Sequence, residues 1–514
     1  MVTLPGCTTP DRLAKEPDIT NTAVGLRAYS GGRVTGLATM DRNHCIDLRA
    51  GRLSGLTAAS DVSGLFQNLR NDPRRDTLVL HFHGGLNSRD DGVLRSAGML
   101  PFFHEAGAYP VFFAWESAFG EVIENQLAAL MAEPLFQPLL QRVLAFAQEK
   151  IRGAAVRGVD AHSPVRDAVL AAIDGGADPD LALAADQRAR LFSLKAADQR
   201  NFEIALTNDV ALREHLAGLG DPGAIGTSTS SIADLLRRPG PDGKPTRFDP
   251  LSVVVSLAVR VLARLFKRYA TGRDHGMRAT VVEELAQALM VGKFFTGPFA
   301  LMKSQIDQAF GADERLRGGT AFLAGMRGLW DTGWRPRIVL VGHSAGSIYI
   351  CGFIDRAREL LPDARFDVVF MTPGVSFQRL AMTIAGGRGA IHRFRSYSLD
   401  EQAEERDPLS DSEPVKAVFP RSTLYFASGV LEYDGGPDAG DMPLVGMQRY
   451  FKRADIYTST EVQTVRDYVA ERSDRQVWIK PDGEFGRVGH AGIENNPLMR
   501  EHLRRIIVRG FDAD

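Results

Sequence analysis

The stretch RIVLVGHSAGSIYI, residues 337–350, determines how the rest of this 514-residue chain is interpreted. Residues 337–341 form an apolar run typical of a buried strand, and the residues after Gly346 predict a helix. Gly342 and Gly346 stand two positions from Ser344 on either side, where the strand and helix backbones must pack closely. The pattern predicts a sharp strand–turn–helix with the Ser344 hydroxyl exposed above a sheet at the helix N-terminus. We therefore expect Ser344 to be a nucleophile, with a purely structural turn as the alternative.

A second motif, TLVLHFHGGL at residues 77–86, also ends a predicted strand. Its apolar run is followed by His83, Gly84 and Gly85. Glycine allows the backbone to turn sharply and to approach a ligand with no Cβ in the way. The motif therefore predicts a loop of close approach at the end of this strand, with a simple strand-ending turn as the alternative.

Three histidines follow Ser344, and one of them lies in a loop suited to catalysis. His490 belongs to a glycine-rich segment, residues 485–492, between the last predicted strand and the last predicted helix. His392 is predicted at the start of a strand and His502 inside a helix, where surface or packing roles are expected. His490 is therefore the candidate general base.

Carboxylates follow another predicted strand, residues 391–399. Asp400 ends this strand, and Asp407 lies in the acidic stretch after it. A carboxylate in this place can orient the imidazole of a catalytic histidine. We rank Asp400 first and Asp407 second as the partner of His490, and we expect most other carboxylates of the stretch to lie on a solvated helix.

In their order and spacing, these motifs resemble the serine hydrolases of the α/β-hydrolase fold, of the lipase or esterase type. The resemblance covers the strands, the GHSAG elbow, the HGG loop and the terminal histidine loop. It implies an α/β fold with a mostly parallel central sheet flanked by helices. It also implies a catalytic triad of Ser344, His490 and Asp400, and it requires no metal or organic cofactor.

The same resemblance places an oxyanion hole at the HGG loop. Its donors would be the backbone N–H of Ala345 and one N–H from Gly84 or Gly85. Leu86 stands where some esterases carry a third glycine, so the identity of the second donor stays open.

The activity that follows from the resemblance is cleavage of a carboxylic ester through an acyl-enzyme intermediate. Amide hydrolysis and acyl transfer use the same triad and are alternatives. A non-catalytic scaffold that binds a protein partner is another. A metallohydrolase using His81 and His83 is a further alternative, because the two side chains point to one face of a strand.

The strand expected after residues 109–115 arrives only at residue 337. The intervening residues 118–317 have helical spacing and predict a helical insertion that acts as a cap over the carboxyl edge of the sheet. The core of the fold would then comprise residues 1–117 and 318–514. A peripheral helical domain for oligomerisation or partner binding is the alternative to a cap.

Composition excludes some functional classes. With 61 basic and 63 acidic residues, the formal charge of −2 gives no electrostatic reason to expect a nucleic-acid partner. Cys7, Cys45 and Cys351 are too few for a disulfide framework, and this usage fits a reducing cytoplasm. We therefore expect a cytoplasmic protein with a large apolar core.

No apolar run reaches the length of a membrane span. The longest, residues 251–266, contains two arginines and predicts an amphipathic or buried helix. Together with residues 294–302 it is a candidate lining for an acyl or lipid pocket. The alternative is that both stretches form the core of the cap. A small-molecule or lipid ester is the expected substrate, and peripheral contact with a membrane stays open.

Overall fold

A single open sheet of eight strands organises the computed structural model of the chain. The strands are β1 (Cys45–Arg49), β2 (Arg52–Leu53), β3 (Thr77–Phe82), β4 (Tyr109–Trp115), β5 (Arg337–His343), β6 (Phe366–Met371), β7 (Ile391–Leu399) and β8 (Gln476–Ile479). Their order is β2-β1-β4-β3-β5-β6-β7-β8, and every neighbouring pair except β1 and β2 is parallel. The structure describes residues 29–30, 33–34, 41–54, 57–85, 89–115, 119–158, 167, 169–170, 185–219, 249–289, 296–432 and 440–511.

Helices form most of the rest of the described chain. They are α1 (Ala59–Asn71), α2 (Arg89–Glu105), α3 (Phe119–Ala132), α4 (Phe136–Gly158), α5 (Ala185–Leu191), α6 (Ala196–Thr207), α7 (Val210–Leu219), α8 (Pro250–Thr271), α9 (Met277–Leu289), α10 (Thr296–Ala309), α11 (Gly318–Trp330), α12 (Gly346–Leu360), α13 (Phe377–Gly387), α14 (Glu401–Arg406), α15 (Glu413–Val418), α16 (Thr423–Phe426), α17 (Arg449–Lys452), α18 (Thr460–Ala470) and α19 (Pro497–Arg509). A separate two-stranded antiparallel pair joins Tyr29–Ser30 to Arg33–Val34.

The central strands are buried on both faces. Successive side chains of a strand point to opposite sides, so Leu78 and Leu80 of β3 join one apolar core while Val79 joins the other. The first core is shared with α1, α11 and α12, and the second with α2 and α19. Strands covered on both faces require continuous apolar runs rather than alternation. The predicted α/β class, with a mostly parallel sheet flanked by helices, is confirmed.

Two glycines allow β5 to turn directly into α12. A Cβ placed on Gly346 would lie 2.1 Å from the carbonyl oxygen of Phe82, the last residue of β3. A Cβ on Gly342 would lie 2.7 Å from the Ile350 side chain and 2.9 Å from the backbone of Gly346. The small residues of the GHSAG motif are therefore required by the approach of three backbones at one point.

Backbone hydrogen bonds hold the turn between these glycines. Ser344 has a φ of +50°, in the left-handed region that non-glycine residues rarely adopt. Its N–H donates to the carbonyl oxygen of Met371 in β6 at 3.0 Å. Its own carbonyl accepts from the N–H groups of Ser347 and Gly374 at 3.1 and 3.0 Å, and from the Ser347 hydroxyl at 2.6 Å. These partners maintain a backbone conformation that costs of order 1–3 kcal/mol in isolation.

The described residues between β4 and β5 form helices α3 to α11. The apolar run at residues 251–266 lies in α8, which begins after the N-cap residue Asp249 and ends at Gly272 with a φ of +72°. Arg264 of this run pairs with Glu284 of α9 at 3.0 Å. No helix within the described ranges is long and apolar enough to cross a bilayer. The division into a core and a 118–317 insertion stays a prediction.

Gly346→Ala is expected to destabilise the protein by at least about 1–3 kcal/mol, because the new methyl group overlaps a strand carbonyl that cannot move aside. The free energy of unfolding in urea measures this effect. Gly64→Ala in α1 is the matched control, because a Cβ there meets no atom within 4 Å. That control should be neutral or slightly stabilising. Equal stability of the Gly346→Ala variant and the wild type would contradict the packing described for the turn.

Candidate functional site

The turn at Ser344 lies at the carboxyl end of β5, beside the carboxyl ends of β3 and β6. Ser344 is 7% exposed, and its hydroxyl makes no hydrogen bond with another described residue. In open α/β sheets, the carboxyl ends of the strands are where ligands bind. The serine is therefore positioned at the edge of the sheet where a reactive group is expected.

The HGG loop packs directly against this turn. A Cβ on Gly84 would lie 2.8 Å from His343 Nδ1 and 3.3 Å from Ser344 Cβ. A Cβ on Gly85 would lie 3.0 Å from the Cβ of Ala345. The structure thus brings together Gly84, Gly85 and Ala345, the three residues considered for an oxyanion hole. Leu86 lies outside the described residues.

His83 fixes the orientation of the peptide group between the two glycines. The Trp115 N–H donates to His83 Nε2 at 3.2 Å, so Nδ1 carries the proton and donates to the Gly84 carbonyl oxygen at 2.8 Å. Burial lowers the pKa of this imidazole to about 4, which keeps it neutral. Because the N–H and C=O of a trans peptide point in opposite directions, the Gly85 N–H points away from His83.

His490 is a buried residue at the start of a short helical segment. It begins a short 3-10 helix, His490–Asn495, and is 2% exposed. Neither ring nitrogen has a hydrogen-bond partner among the described residues. Burial and the neighbouring His343, whose ring centroid lies 5.4 Å away, lower the pKa of His490 to about 3. Such unsatisfied buried groups are rare in proteins and call for a functional explanation.

Two hydrogen bonds connect the backbone of His490 to neighbouring residues. Its carbonyl oxygen accepts a hydrogen bond from His343 Nε2 at 2.9 Å, and its N–H donates to Asp407 Oδ2 at 2.8 Å. His343 is the residue before Ser344, so the loop that carries His490 lies against the turn. No hydrogen bond joins the Ser344 hydroxyl to the His490 ring in the described part of the chain.

The two candidate acids have different environments. Asp400 is the N-cap of α14, where its carboxylate accepts from the Ala403 N–H at 2.8 Å, and it makes no hydrogen bond with the His490 ring. Asp407 contacts His490 through the backbone N–H rather than the ring. Burial raises the pKa of Asp407 to about 6, although the hydrogen bond from His490 opposes the shift. The structure brings the second-ranked carboxylate to His490 and leaves the first-ranked one as a helix cap.

Sequence reasoning missed Glu494. Its buried carboxylate accepts a hydrogen bond from His81 Nε2 at 3.0 Å, and its second oxygen lies 3.7 Å from His343 Nδ1. Burial opposes its ionisation, but His343 and the bond from His81 hold the pKa of Glu494 well below its usual range. The only sequence signal is its position four residues after His490, which does not reveal contacts with β3 and β5.

The metal-site alternative gains no support from these contacts. His81 faces Glu494, and both ring nitrogens of His83 are used by the backbone of Gly84 and Trp115. Within the described ranges, no three His, Cys, Asp or Glu side chains are grouped in a way that could hold a metal ion.

A small apolar cavity of about 30 Å³ opens at Ser344. Its walls come from Phe299 and Met302 of α10, from Leu424 of α16, and from a short π-helix, Ala427–Leu431. We refer to α10, α16 and this π-helix as the covering elements. Two residues of the predicted insertion thus line the cavity at the serine. Single π-helical turns occur frequently at functional sites.

A buried network of charged groups packs against the π-helix. Arg268 of α8 contacts Glu283 and Glu284 of α9 at 2.7 and 3.3 Å. His275 Nδ1 bonds Glu283 at 2.8 Å. A Cβ on Gly429, in the π-helix, would lie 2.2 Å from the Glu283 carboxyl carbon. Removing one partner of such a pair leaves an uncompensated buried charge, so the pairs are expected to stay together. The π-helix wall of the cavity therefore packs against a fixed group of α8 and α9 residues.

Comparisons of the chain with protein-family models, with curated proteins and with solved structures found no match. Ser344, the HGG loop and His490 are therefore the features from which a function can be inferred, through their geometry and the chemistry that these groups can perform.

Glu404 generates a prediction about stability and pH. Burial and the adjacent Asp407 raise its pKa from 4.5 to about 8, although the Ser422 hydroxyl bonds its carboxyl group. The folded state therefore keeps a proton that the unfolded chain has lost, and stability falls as pH rises between 4.5 and 8. At about 1.4 kcal/mol per pKa unit, the loss is at most about 5 kcal/mol.

Glu404→Gln should remove this contribution, so unfolding free energies measured in urea from pH 5 to pH 8 should vary less than in the wild type. Glu413→Gln, at an exposed position of α15, is the matched control and should keep the wild-type slope. An unchanged slope in Glu404→Gln would show that this carboxyl group is not protonated in the folded protein.

Proposed function

We propose that this protein is a serine hydrolase that cleaves a carboxylic ester through an acyl-enzyme on Ser344. The observation that carries the proposal is the left-handed conformation of Ser344, with a φ of +50°, at a strand-to-helix turn. Close contacts at Gly342 and Gly346 enforce that turn. A serine held in this way is the hallmark of the nucleophile elbow of α/β-hydrolases.

Three further features support an α/β-hydrolase fold. The HGG loop follows the third strand and precedes a helix, as the oxyanion loop of that fold does. The nucleophile, acid and histidine occur in this order along the chain, with the histidine after the last strand. The sheet is parallel throughout β4-β3-β5-β6-β7-β8.

In the proposed reaction, Ser344 Oγ attacks the acyl carbonyl while His490 accepts the serine proton. His490 then donates that proton to the leaving alcohol, and water completes the second half-reaction. The low pKa of His490 keeps the imidazole neutral and able to accept a proton at pH 7. Because no described residue hydrogen-bonds the ring nitrogens, no such bond has to break before the imidazole acts.

The developing oxyanion would be bound by the backbone N–H groups of Ala345 and Gly85. We choose Gly85 over Gly84 because His83 holds the Gly84 carbonyl and so turns the Gly85 N–H away from itself. Loss of one such donor typically costs about 2.7–4 kcal/mol of transition-state stabilisation. His83 is therefore a positioning residue in this scheme.

Asp407 is the carboxylate that we assign to the support of His490. It holds the His490 backbone N–H, whereas Asp400 is committed to capping α14. The role of Asp407 is to position the histidine loop, and negative charge beside that loop stabilises the imidazolium that forms during the reaction.

The size of the cavity at Ser344 favours a short acyl group. Its volume of about 30 Å³ is far below the roughly 300–1,000 Å³ of pockets that hold drug-sized ligands. Its walls are mainly apolar, as an acyl chain requires. A lipid or long-chain ester would enter only if α10 moved away from the serine.

Ser344→Ala should abolish both ester turnover and covalent labelling by a fluorophosphonate probe, with the thermal unfolding temperature unchanged. His490→Ala should reduce turnover by several orders of magnitude, because the serine loses its base. Ser63→Ala in α1 and His502→Ala in α19 are the matched controls and should keep wild-type labelling. Wild-type labelling or turnover in Ser344→Ala would overturn the proposed function.

Met302→Ala tests the assignment of the acyl pocket. Removing a side chain from the wall should raise kcat/KM for propionyl relative to acetyl esters by roughly tenfold, the discrimination expected for about one methylene group. Leu301→Ala on the same helix is the control, because Leu301 is 57% exposed. An unchanged acyl preference in Met302→Ala, with turnover intact, would place the acyl chain elsewhere.

A further inference from the structure

A second cavity, of about 300 Å³, opens on the outer side of the His490 loop. It lies between the end of α14, the residues after β8 and the glycine-rich segment before His490, and it includes Asp407 and Gly489 in its lining. It shares no described lining residue with the cavity at Ser344. The proposed hydrolysis makes no use of it.

Three cations from three separate segments converge on this cavity. They are Arg406 at the end of α14, Lys480 just after β8, and Arg487 in the loop that leads to His490. All three are exposed, and no hydrogen bond or ion pair joins their charged groups to another described residue. Like charges gathered at one place repel each other. A bound anion would relieve this repulsion.

The acidic groups nearby do not neutralise the cations. Asp407 is the one carboxylate among the described lining residues, and one of its oxygens is occupied by the His490 N–H. Glu404, beside it, has a pKa of about 8 through burial and is therefore uncharged at neutral pH. Asp482 and Glu484 of the same loop are exposed and do not line the cavity. With Asp407 ionised, the lining carries a formal charge of +2.

We propose that this cavity binds a small molecule through a phosphate group. A phosphate monoester carries close to two negative charges at neutral pH, which matches the net charge of the lining. The planar guanidinium groups of Arg406 and Arg487 suit the tetrahedral oxyanion, and Lys480 adds a compact positive charge. The volume lies at the lower end of the range for small-ligand pockets, so a phosphate and a short organic group fit together.

Calorimetric titration tests the proposal with inorganic phosphate and glycerol 3-phosphate at pH 7.5, with chloride matching the ionic strength. The wild type should bind both saturably. The double variant Lys480→Gln/Arg487→Gln should bind at least about tenfold more weakly, since two positive charges and their charge-assisted hydrogen bonds to the phosphate are lost. Arg260→Gln, at an exposed position of α8, is the matched control and should bind as the wild type does.

A vesicle arm distinguishes a soluble phosphate from a lipid headgroup. Co-sedimentation with phosphatidate vesicles, but not with phosphatidylcholine vesicles, that is lost in the double variant would place the phosphate on a lipid. Absence of co-sedimentation, with glycerol 3-phosphate bound in solution, would place it on a soluble molecule. Either result supports the phosphate site.

The proposal is overturned if the wild type shows no saturable response to any phosphate probe, or if the double variant responds as the wild type does. Ser344→Ala should bind phosphate unchanged, because the two cavities are separate. The test of phosphate binding is therefore independent of the test of the proposed hydrolysis.

Discussion

The contact between the backbone of Gly346 and the carbonyl oxygen of Phe82 is the constraint on which the rest of the site depends. It joins the start of α12 to the end of β3, and no side chain fits between them. Because β5 must turn into α12 at this distance, Ser344 is forced into a left-handed conformation. The same approach places the HGG loop, which continues from Phe82, against Ser344 and Ala345. One steric requirement thus assembles the serine and the candidate oxyanion donors.

Behind this surface lies a set of buried polar groups with little access to water. His81, His343 and Glu494 form a connected cluster, and His490 adjoins it through its backbone. In such an environment, electrostatic interactions are stronger than in water, and an unpaired polar group is costly. Among the described residues, Nδ1 of His81 and Nδ1 of His343 lack a hydrogen-bond partner, and in His490 both ring nitrogens lack one. In the proposed mechanism, the cost of leaving the His490 ring unpaired is offset by interactions of the fold elsewhere, and the ring is free to receive a proton.

The covering elements give the site its shape. Helix α10 and the π-helix lie over Ser344, and the ion network around Arg268 and Glu283 ties the π-helix wall to the longer helices α8 and α9. Motion of α10 relative to that wall is the simplest way to enlarge the small cavity. The His490 loop also borders the second cavity, which is lined by Arg406, Lys480 and Arg487.

The class of the fold and the place of the serine between a strand and a helix could be predicted from local patterns in the chain. Continuous apolar runs at β3, β4, β5 and β6 reflect burial on both faces, and the glycines near Ser344 reflect a close backbone approach. Each of these features depends on residues that are neighbours in the sequence. The partners of His490 could not be predicted from local sequence. Asp400 and Asp407 lie in one acidic stretch, and the sequence does not distinguish their roles. Only the folded structure shows that Asp400 caps α14 and that Asp407 contacts His490. The contacts of Glu494 and the meeting of three cations at one cavity likewise depend on tertiary structure, because side chains far apart in the chain meet only when the sheet brings their segments together.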